Sequence, residues 1–168
     1  MDMDEHGWVH VSKLLPMLKN TRATRHEVET MVASSQKQRF SIDRDRIRAN
    51  QGHSKGIVND DDLAVVESVE QVPVAVHSTT AEAWDSIQKC GELRRMTREH
   101  VHFATEHHML REQKGSSGVA LKLDLKRALE AGHEFRLSSN KVLLTKGPLP
   151  VEFLTPVDRE SAFASPPV

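Results

Sequence analysis

The chain has a single cysteine, Cys90, so no internal disulfide framework can hold it, and that usage fits a reducing compartment. Tyrosine is absent. No apolar run is long enough to cross a bilayer, and Met1–Val11 shows no signal-peptide pattern, so an intracellular protein of cytoplasm or nucleus with no membrane partner is expected. Charge of one sign is lacking too. The net charge of −1 gives no global positive field, so any anion site must be local. The sequence contains no Gly-rich phosphate loop, no Gly-x-Ser-x-Gly elbow and no kinase signature. Cys90 precedes Gly91 at an expected helix C-terminus, where the dipole disfavours thiolate, which argues against a cysteine nucleophile. What is present, 38% hydrophobic and 28% charged residues in 168, predicts a soluble globular chain of one or two small domains.

In chain order, Gly7–Val11 reads as a short strand. Ser12 is placed to cap a turn carrying Leu14, Leu15 and Leu18, with Pro16 tolerable only in its first turn. Thr24 with Glu27 forms a capping box ahead of Val28, Met31 and Val32 at helical spacing, which predicts a helix to about Ser35. Arg39–Ile42 and Arg46–Arg48 alternate about Asp43-Arg44-Asp45 as a hairpin. Helix, helix, hairpin is the order of a winged-helix-like lobe, bounded by the acidic break at Asn59–Asp62. Beyond it, Leu63–Val66, Val72–Val76, Val101–Ala104, Val119–Leu123 and Val142–Thr145 are expected strands, and Val151–Leu154 is expected as a last edge strand. Thr79 with Glu82 repeats the capping-box pattern before Ala83, Trp84 and Ile87, and Gly91 is placed to end that helix. Asp124 is placed to cap a short helix ended by Gly132. The expected class is α+β, with domains at 1–62 and 63–168.

The densest chemistry lies in Ile47-Arg48-Ala49-Asn50-Gln51-Gly52-His53-Ser54. Arg48 can grip a phosphate with two donors, and Asn50, Gln51, His53 and Ser54 can each donate to an oxyanion. Gly52 allows positive φ, so backbone N–H groups can join them. A polar surface turn is the plainer reading of the same residues. His77-Ser78-Thr79-Thr80 sets an imidazole at a strand end beside hydroxyls, where a strand-to-helix turn can face an anion or a ribose. His100 and His102 fall on one strand face. They lack a defined third ligand, so no metal site is expected. Arg94, Arg95 and Arg98 form either a solvated basic face or a phosphate rim.

Taken in order, these motifs resemble those of the RNA 2′-phosphotransferase family. Gly7-Trp8-Val9 is similar to its N-terminal element and Gln38-Arg39-Phe40 to its hairpin start. The run Arg48 to Ser54 matches its Arg-Ala-Asn-Gln-Gly-His-Ser signature without a gap. His77-Ser78-Thr79 resembles its His-Gly-Thr, Met96 to Phe103 its Met-x-Arg-x-His-Val-His segment, and Asn140 to Thr145 its Asn-Gly-Val-x-Leu-Thr strand. The resemblance implies a winged-helix-like RNA lobe and an ADP-ribosyltransferase-like lobe. It further implies transfer of an internal 2′-phosphate of spliced tRNA to NAD as co-substrate, by a monomer, with nicotinamide and ADP-ribose 1″,2″-cyclic phosphate as products. Arg48 would be catalytic, while Arg48, Asn50, Gln51, His53 and Ser54 would bind the RNA phosphate. His77, Ser78, Thr79, Arg98, His100, His102 and Asn140 would fall near NAD.

Departures from the family pattern are equally specific. The family's Arg-His pair precedes Gly-Trp-Val, whereas Arg25-His26 follows it here, so the chain is expected to lack that N-terminal helix. The family's last catalytic arginine precedes the strand Val119–Leu123, where Arg111 or Lys114 is the nearest match, and Arg111 would join Arg48 as catalytic. Ser78 and Lys141 replace glycines, and Val76 stands where tyrosine is common. A binding module without turnover, and an ADP-ribosyltransferase acting on another acceptor, are the alternative readings.

Overall fold

In the computed structural model, the described residues are 3–18, 22–51, 60, 63–110 and 118–163. Strand β1 (Val9–His10) runs directly into helix α1 (Val11–Leu14), followed by a 3-10 turn at Leu15–Met17 with Pro16 in its first turn. Ser12 does not cap this helix. His10 takes the N-cap position without a side-chain bond, and the Val11 N–H donates to Asp45 O at 2.8 Å, so the hairpin supplies the acceptor. Helix α2 (Arg25–Ser34) begins with the expected capping box: Thr24 accepts from Glu27 N, and Glu27 accepts from Thr24 N at 2.7 Å. Strands β2 (Phe40–Asp43) and β3 (Arg46–Ala49) form the hairpin, and β1 pairs on the far side of β3. Val11, Val28, Val32 and Ile47 are buried beneath this three-stranded sheet.

The rest of the described chain builds a larger core. One antiparallel sheet runs β4 (Ala64–Val66), β9 (Phe135–Leu137), β10 (Leu143–Thr145) and β7 (Val101–Phe103). Another runs β12 (Leu154–Val157), β8 (Gly118–Leu123) and β5 (Val76–Thr80). A two-stranded pair joins β11 (Leu149–Pro150) to β6 (Glu92–Leu93). Helix α3 (Ala81–Cys90) and helix α4 (Leu125–Glu130) lie beside these sheets. Phe103, Leu121, Phe135, Leu143 and Leu149 are buried in the shared core, with Trp84 and Ile87 of α3 packed against it. The class is therefore mixed α and β with small antiparallel sheets, consistent with α+β.

Three local expectations change. Val72–Ala75 is irregular after a 3-10 turn at Val69–Gln71. Pro73 has no N–H to give a ladder, although Val72 and Ala75 are buried. The cap of α3 is Thr80, which accepts from Ala83 N, while Thr79 stays in β5 opposite Val119 because pairing with β8 extends to Gly118. Val151–Phe153 forms a 3-10 turn, and the final strand starts only at Leu154, where pairing with Leu123 begins. Gly91 ends α3 at φ 80, and Asp124 caps α4 as expected. The Asn59–Asp62 break lies outside the described residues except for Asp60.

Candidate functional site

Strand period and antiparallel register fix which side chains meet in the hairpin. Ile47 faces the small core and its register partner Val9 is buried with it, so Arg46 and Arg48 project from the opposite face. There the Trp8 ring lies beneath both guanidinium groups, with its centroid 4.8 Å from Arg48 Cζ and 5.3 Å from Arg46 Cζ. At partly exposed sites such a cation–π contact contributes about 0.5–1 kcal/mol. Arg46 also meets Asp43 at 3.2 Å and Asp4 at 3.7 Å. Asn50 sits just past β3. Its Oδ1 accepts from Ser41 Oγ at 2.6 Å and its Nδ2 donates to Gln38 O at 2.6 Å. These bonds lock the hairpin base and aim the chain after Arg48. Gln51 is half-buried next to it. His53 and Ser54 lie outside the described residues, as do Arg111 and Lys114.

A second cluster forms where two sheets part. Among the described residues, one backbone bridge joins them, Val76–Ala104, with N···O distances of 2.8 Å in both directions. His77 stands on β5 at this fork. Its Nδ1 lies 2.9 Å from His102 O, so that nitrogen carries the proton and Nε2 is left as an acceptor. The ring packs against Phe103 at 5.7 Å. Burial pushes the His77 pKa down against the raising effect of the His102 carbonyl, so the imidazole is neutral near pH 7. His102 is lowered to about 4, chiefly by burial, with the charges of Arg98, His100 and His77 acting in the same direction. The structure thus brings His77, His100, His102 and Arg98 into one electrostatic neighbourhood.

The fork separates two neighbours in sequence. His77 and Thr79 pair with Leu121 and Val119, whereas Ser78 pairs with Ala120 and so lies on the other face of β5. Ser78 and His102 each lie two residues from the Val76–Ala104 bridge along their strands. Ser78 Oγ and His102 Nε2 are both buried and have no hydrogen-bond partner among the described residues. Buried polar atoms without partners are expensive, by about 1–3 kcal/mol each, and such a pair suits a polar ligand that completes their bonds.

His100 is buried just before β7, with Nε2 3.3 Å from Asp60 Oδ1; Asp60 Oδ2 in turn meets Lys146 Nζ at 2.6 Å. Burial lowers the His100 pKa more than Asp60 raises it. Burial alone would raise the Asp60 carboxyl, but Lys146 and His100 together hold it below its ordinary value. His100 also lines a cleft of about 270 Å³ with His133, Arg136, Leu144 and Lys146. Asn140 is elsewhere, in the β9–β10 turn. It accepts from Ser138 Oγ at 2.7 Å and donates to Lys37 O at 3.0 Å, which ties the larger core to the segment before β2. Lys141, beside it, sits at φ 61, a conformation that explains a glycine at this position. Arg94 pairs with Glu92, and Arg95 meets Glu99 at 3.0 Å, so these two arginines form local ion pairs while Arg98 is exposed near His102.

Sequence reasoning missed Trp8, Asp60, Lys146 and Arg136. For Trp8 a signal existed, since an aromatic next to a short strand could pair with the alternating arginines. Asp60, Lys146 and Arg136 come together only through long-range pairing. No group of three or more His, Cys, Asp or Glu side chains is arranged to hold a metal among the described residues.

Residues 1–147 match the family described as RNA 2′-phosphotransferase, Tpt1/KptA family. A probable RNA 2′-phosphotransferase of Rhizobium leguminosarum bv. trifolii is 33% identical over 160 residues, covering 93% of this chain and 83% of that protein. The tRNA 2′-phosphotransferase 1 of Danio rerio is 34% identical over 158 residues, covering 88% of this chain and 70% of that protein. A probable RNA 2′-phosphotransferase of Streptomyces griseus is 34% identical over 172 residues, covering 92% and 85%.

Proposed function

Because the chain belongs to the RNA 2′-phosphotransferase, Tpt1/KptA family, we propose that it transfers a 2′-phosphate from RNA to NAD. Spliced tRNA is the proposed RNA, in keeping with the name of the zebrafish relative. The observation that carries this reading is the family match over residues 1–147; Arg48 on the hairpin and the neutral imidazoles of His77 and His102 supply residue types suited to the transfer. We assign residues 1–62 as a winged-helix-like RNA lobe, supported by the helix–helix–hairpin order over its own core. Residues 63–168 are assigned as an ADP-ribosyltransferase-like lobe, supported by the two sheets that share a core and part at His77.

In the proposed reaction an oxygen of the RNA 2′-phosphate attacks the anomeric carbon of the nicotinamide ribose, and nicotinamide departs. The ribose 2″-hydroxyl then attacks phosphorus and gives its proton to the departing RNA 2′-oxygen, which leaves ADP-ribose 1″,2″-cyclic phosphate. Arg48 supplies charge to the phosphate in both steps, the kind of stabilisation that is strongest where charge moves in the transition state. The Ser78 hydroxyl and His102 Nε2, both buried without a partner among the described residues, and the His77 Nε2 acceptor are suited to ribose hydroxyls or amide groups of NAD.

The test mixes the protein with NAD and an oligoribonucleotide carrying one internal 2′-phosphate, and follows release of the cyclic phosphate. Arg48→Ala is expected to lower turnover by about 10²–10³-fold while RNA still binds, as removal of one transition-state donor does. His77→Ala is expected to raise the KM for NAD. RNA binding without product from the wild-type protein would favour a binding module. Cleavage of NAD without the 2′-phosphate would favour another acceptor.

A further inference from the structure

Two consecutive carbonyls before β2 are taken up by two asparagine amides from different parts of the fold. Lys37 O accepts from Asn140 Nδ2 at 3.0 Å, and Gln38 O accepts from Asn50 Nδ2 at 2.6 Å. A carbonyl oxygen can only accept, which puts the donor end of each amide on the Lys37–Gln38 side. Asn140 belongs to the sheets. It is 7% exposed, its Oδ1 accepts from Ser138 Oγ at 2.7 Å, and Ser138 Oγ accepts from Val142 N at 3.0 Å, so the turn into β10 orients the amide. Strand β10 pairs with β7, where Leu144 lies opposite His102. Lys37 is held a second time from this side: its Nζ donates to Leu110 O at 3.4 Å, and Leu110 shares a buried cluster with Val76 of the fork.

Asn50 belongs to the hairpin. It follows Ala49, the last residue of β3; its N donates to Arg39 O at 2.9 Å and its Oδ1 accepts from Ser41 Oγ at 2.6 Å. Ser41 lies opposite Arg48 in the β2–β3 register. Between the two amides stands Gln38 at φ 41, a left-handed conformation uncommon outside glycine. Its N and Nε2 both donate to Ser35 O, at 3.1 and 2.8 Å. Such a conformation persists where its surroundings over-determine it. A path of hydrogen bonds and one peptide link therefore runs from Asn140, through Lys37, Gln38 and Asn50, to the residue opposite Arg48. We propose that Asn140 is a positioning residue: through this path it holds the hairpin that carries Arg48 at a fixed orientation to the sheet that carries His102. This inference rests on the reading of Arg48 and the fork as parts of one transfer site.

The test removes the Asn140 donor. Asn140→Leu keeps the volume, and Ser138 Oγ retains Val142 O as an acceptor at 3.1 Å, so the main loss is the bond to Lys37 O. Backbone residual dipolar couplings read the orientation directly: one alignment tensor should fit α2 and β3 together with β8 and β10 in the wild-type protein, whereas Asn140→Leu should require two. In the transfer assay, Asn140→Leu should lower kcat by about 10–100-fold, the range expected when a reacting group is misplaced by about 1 Å, with the KM for NAD unchanged. Added to Asn50→Ala, which cuts the same path on the hairpin side, it should lower kcat no further than the worse single variant, because two breaks in one path are not additive. If Asn140→Leu fails to fold, Asn140→Ala carries the same measurements. A single alignment tensor, wild-type kcat or additive losses in a folded variant would overturn the inference. A raised KM for NAD at wild-type kcat would overturn it too, in favour of a direct contact between Asn140 and NAD. A wild-type protein that performs no transfer would overturn the function reading instead; the dipolar couplings would then decide alone whether Asn140 fixes the hairpin.

Discussion

The hairpin region keeps its charges at the surface, whereas the sheet fork buries its imidazoles, and both arrangements follow from the core beneath them. Among the described residues, four buried aliphatic side chains support the hairpin, and fifteen buried residues, including three phenylalanines, support the sheets. Over the thin core, Arg46 is held by the Trp8 ring and by half-exposed carboxylates, and Arg48 lies over the same ring with its Nε buried. A thick core can strip water from imidazoles, and it does so at His77 and His102 until both stay neutral. One region holds a charge in direction, and the other holds a polar group without charge. The proposed transfer between an anionic phosphate and the sugar of a dinucleotide would use both kinds of group.

The comparison can be broken most directly in the cores. Phe103→Ala, at a fully buried ring, should destabilise the protein by about 3–5 kcal/mol in chemical denaturation. Val28→Ala, in the hairpin core, should cost only about 2 kcal/mol from two lost methyl groups. Equal costs would mean that the small core is as closely packed as the large one.

A second way acts through pH. His102 is depressed from 6.5 to about 4, so between those values the unfolded chain binds a proton that the folded chain does not. Stability is therefore full above about pH 6.5 and falls as the pH is lowered, by up to about 3 kcal/mol from this residue near pH 4. His77 and His100 are shifted in the same direction and steepen the fall. Melting temperatures measured from pH 7.5 to 4.5 should drop steeply, and His102→Gln should flatten the profile. An unchanged profile in that variant would show that His102 is not the desolvated group. The smallest effect belongs to the hairpin side: Thr24→Ala removes the α2 cap and should cost about 1 kcal/mol, read as a small drop in melting temperature.

Local patterns were legible where a residue acts on its own neighbours. Thr24 with Glu27, the alternation about Arg44, Gly91 and Asp124 all behave as their sequence signals predict. The shift of the α3 cap from Thr79 to Thr80 shows where such signals fail, since both threonines can cap and only pairing with β8 selects between them. Asn140 shows the same for the site. Its place in a matching motif suggested a ligand contact, and only the fold adds that its amide joins Ser138 to the backbone of Lys37, a partner more than a hundred residues away in the chain.

The sequence by itself determined the family, the short-range caps and turns, and the residue types that can carry phosphate and ribose chemistry, because these depend on side-chain chemistry and near neighbours. Only the tertiary structure decided which of those residues are desolvated and which atoms face each other. The ring beneath Arg48, the carbonyl that sets the His77 tautomer, and Asp60 between His100 and Lys146 all come from strand register and long-range contacts. Register and burial depend on the whole packed core, and no local stretch of chain encodes them alone.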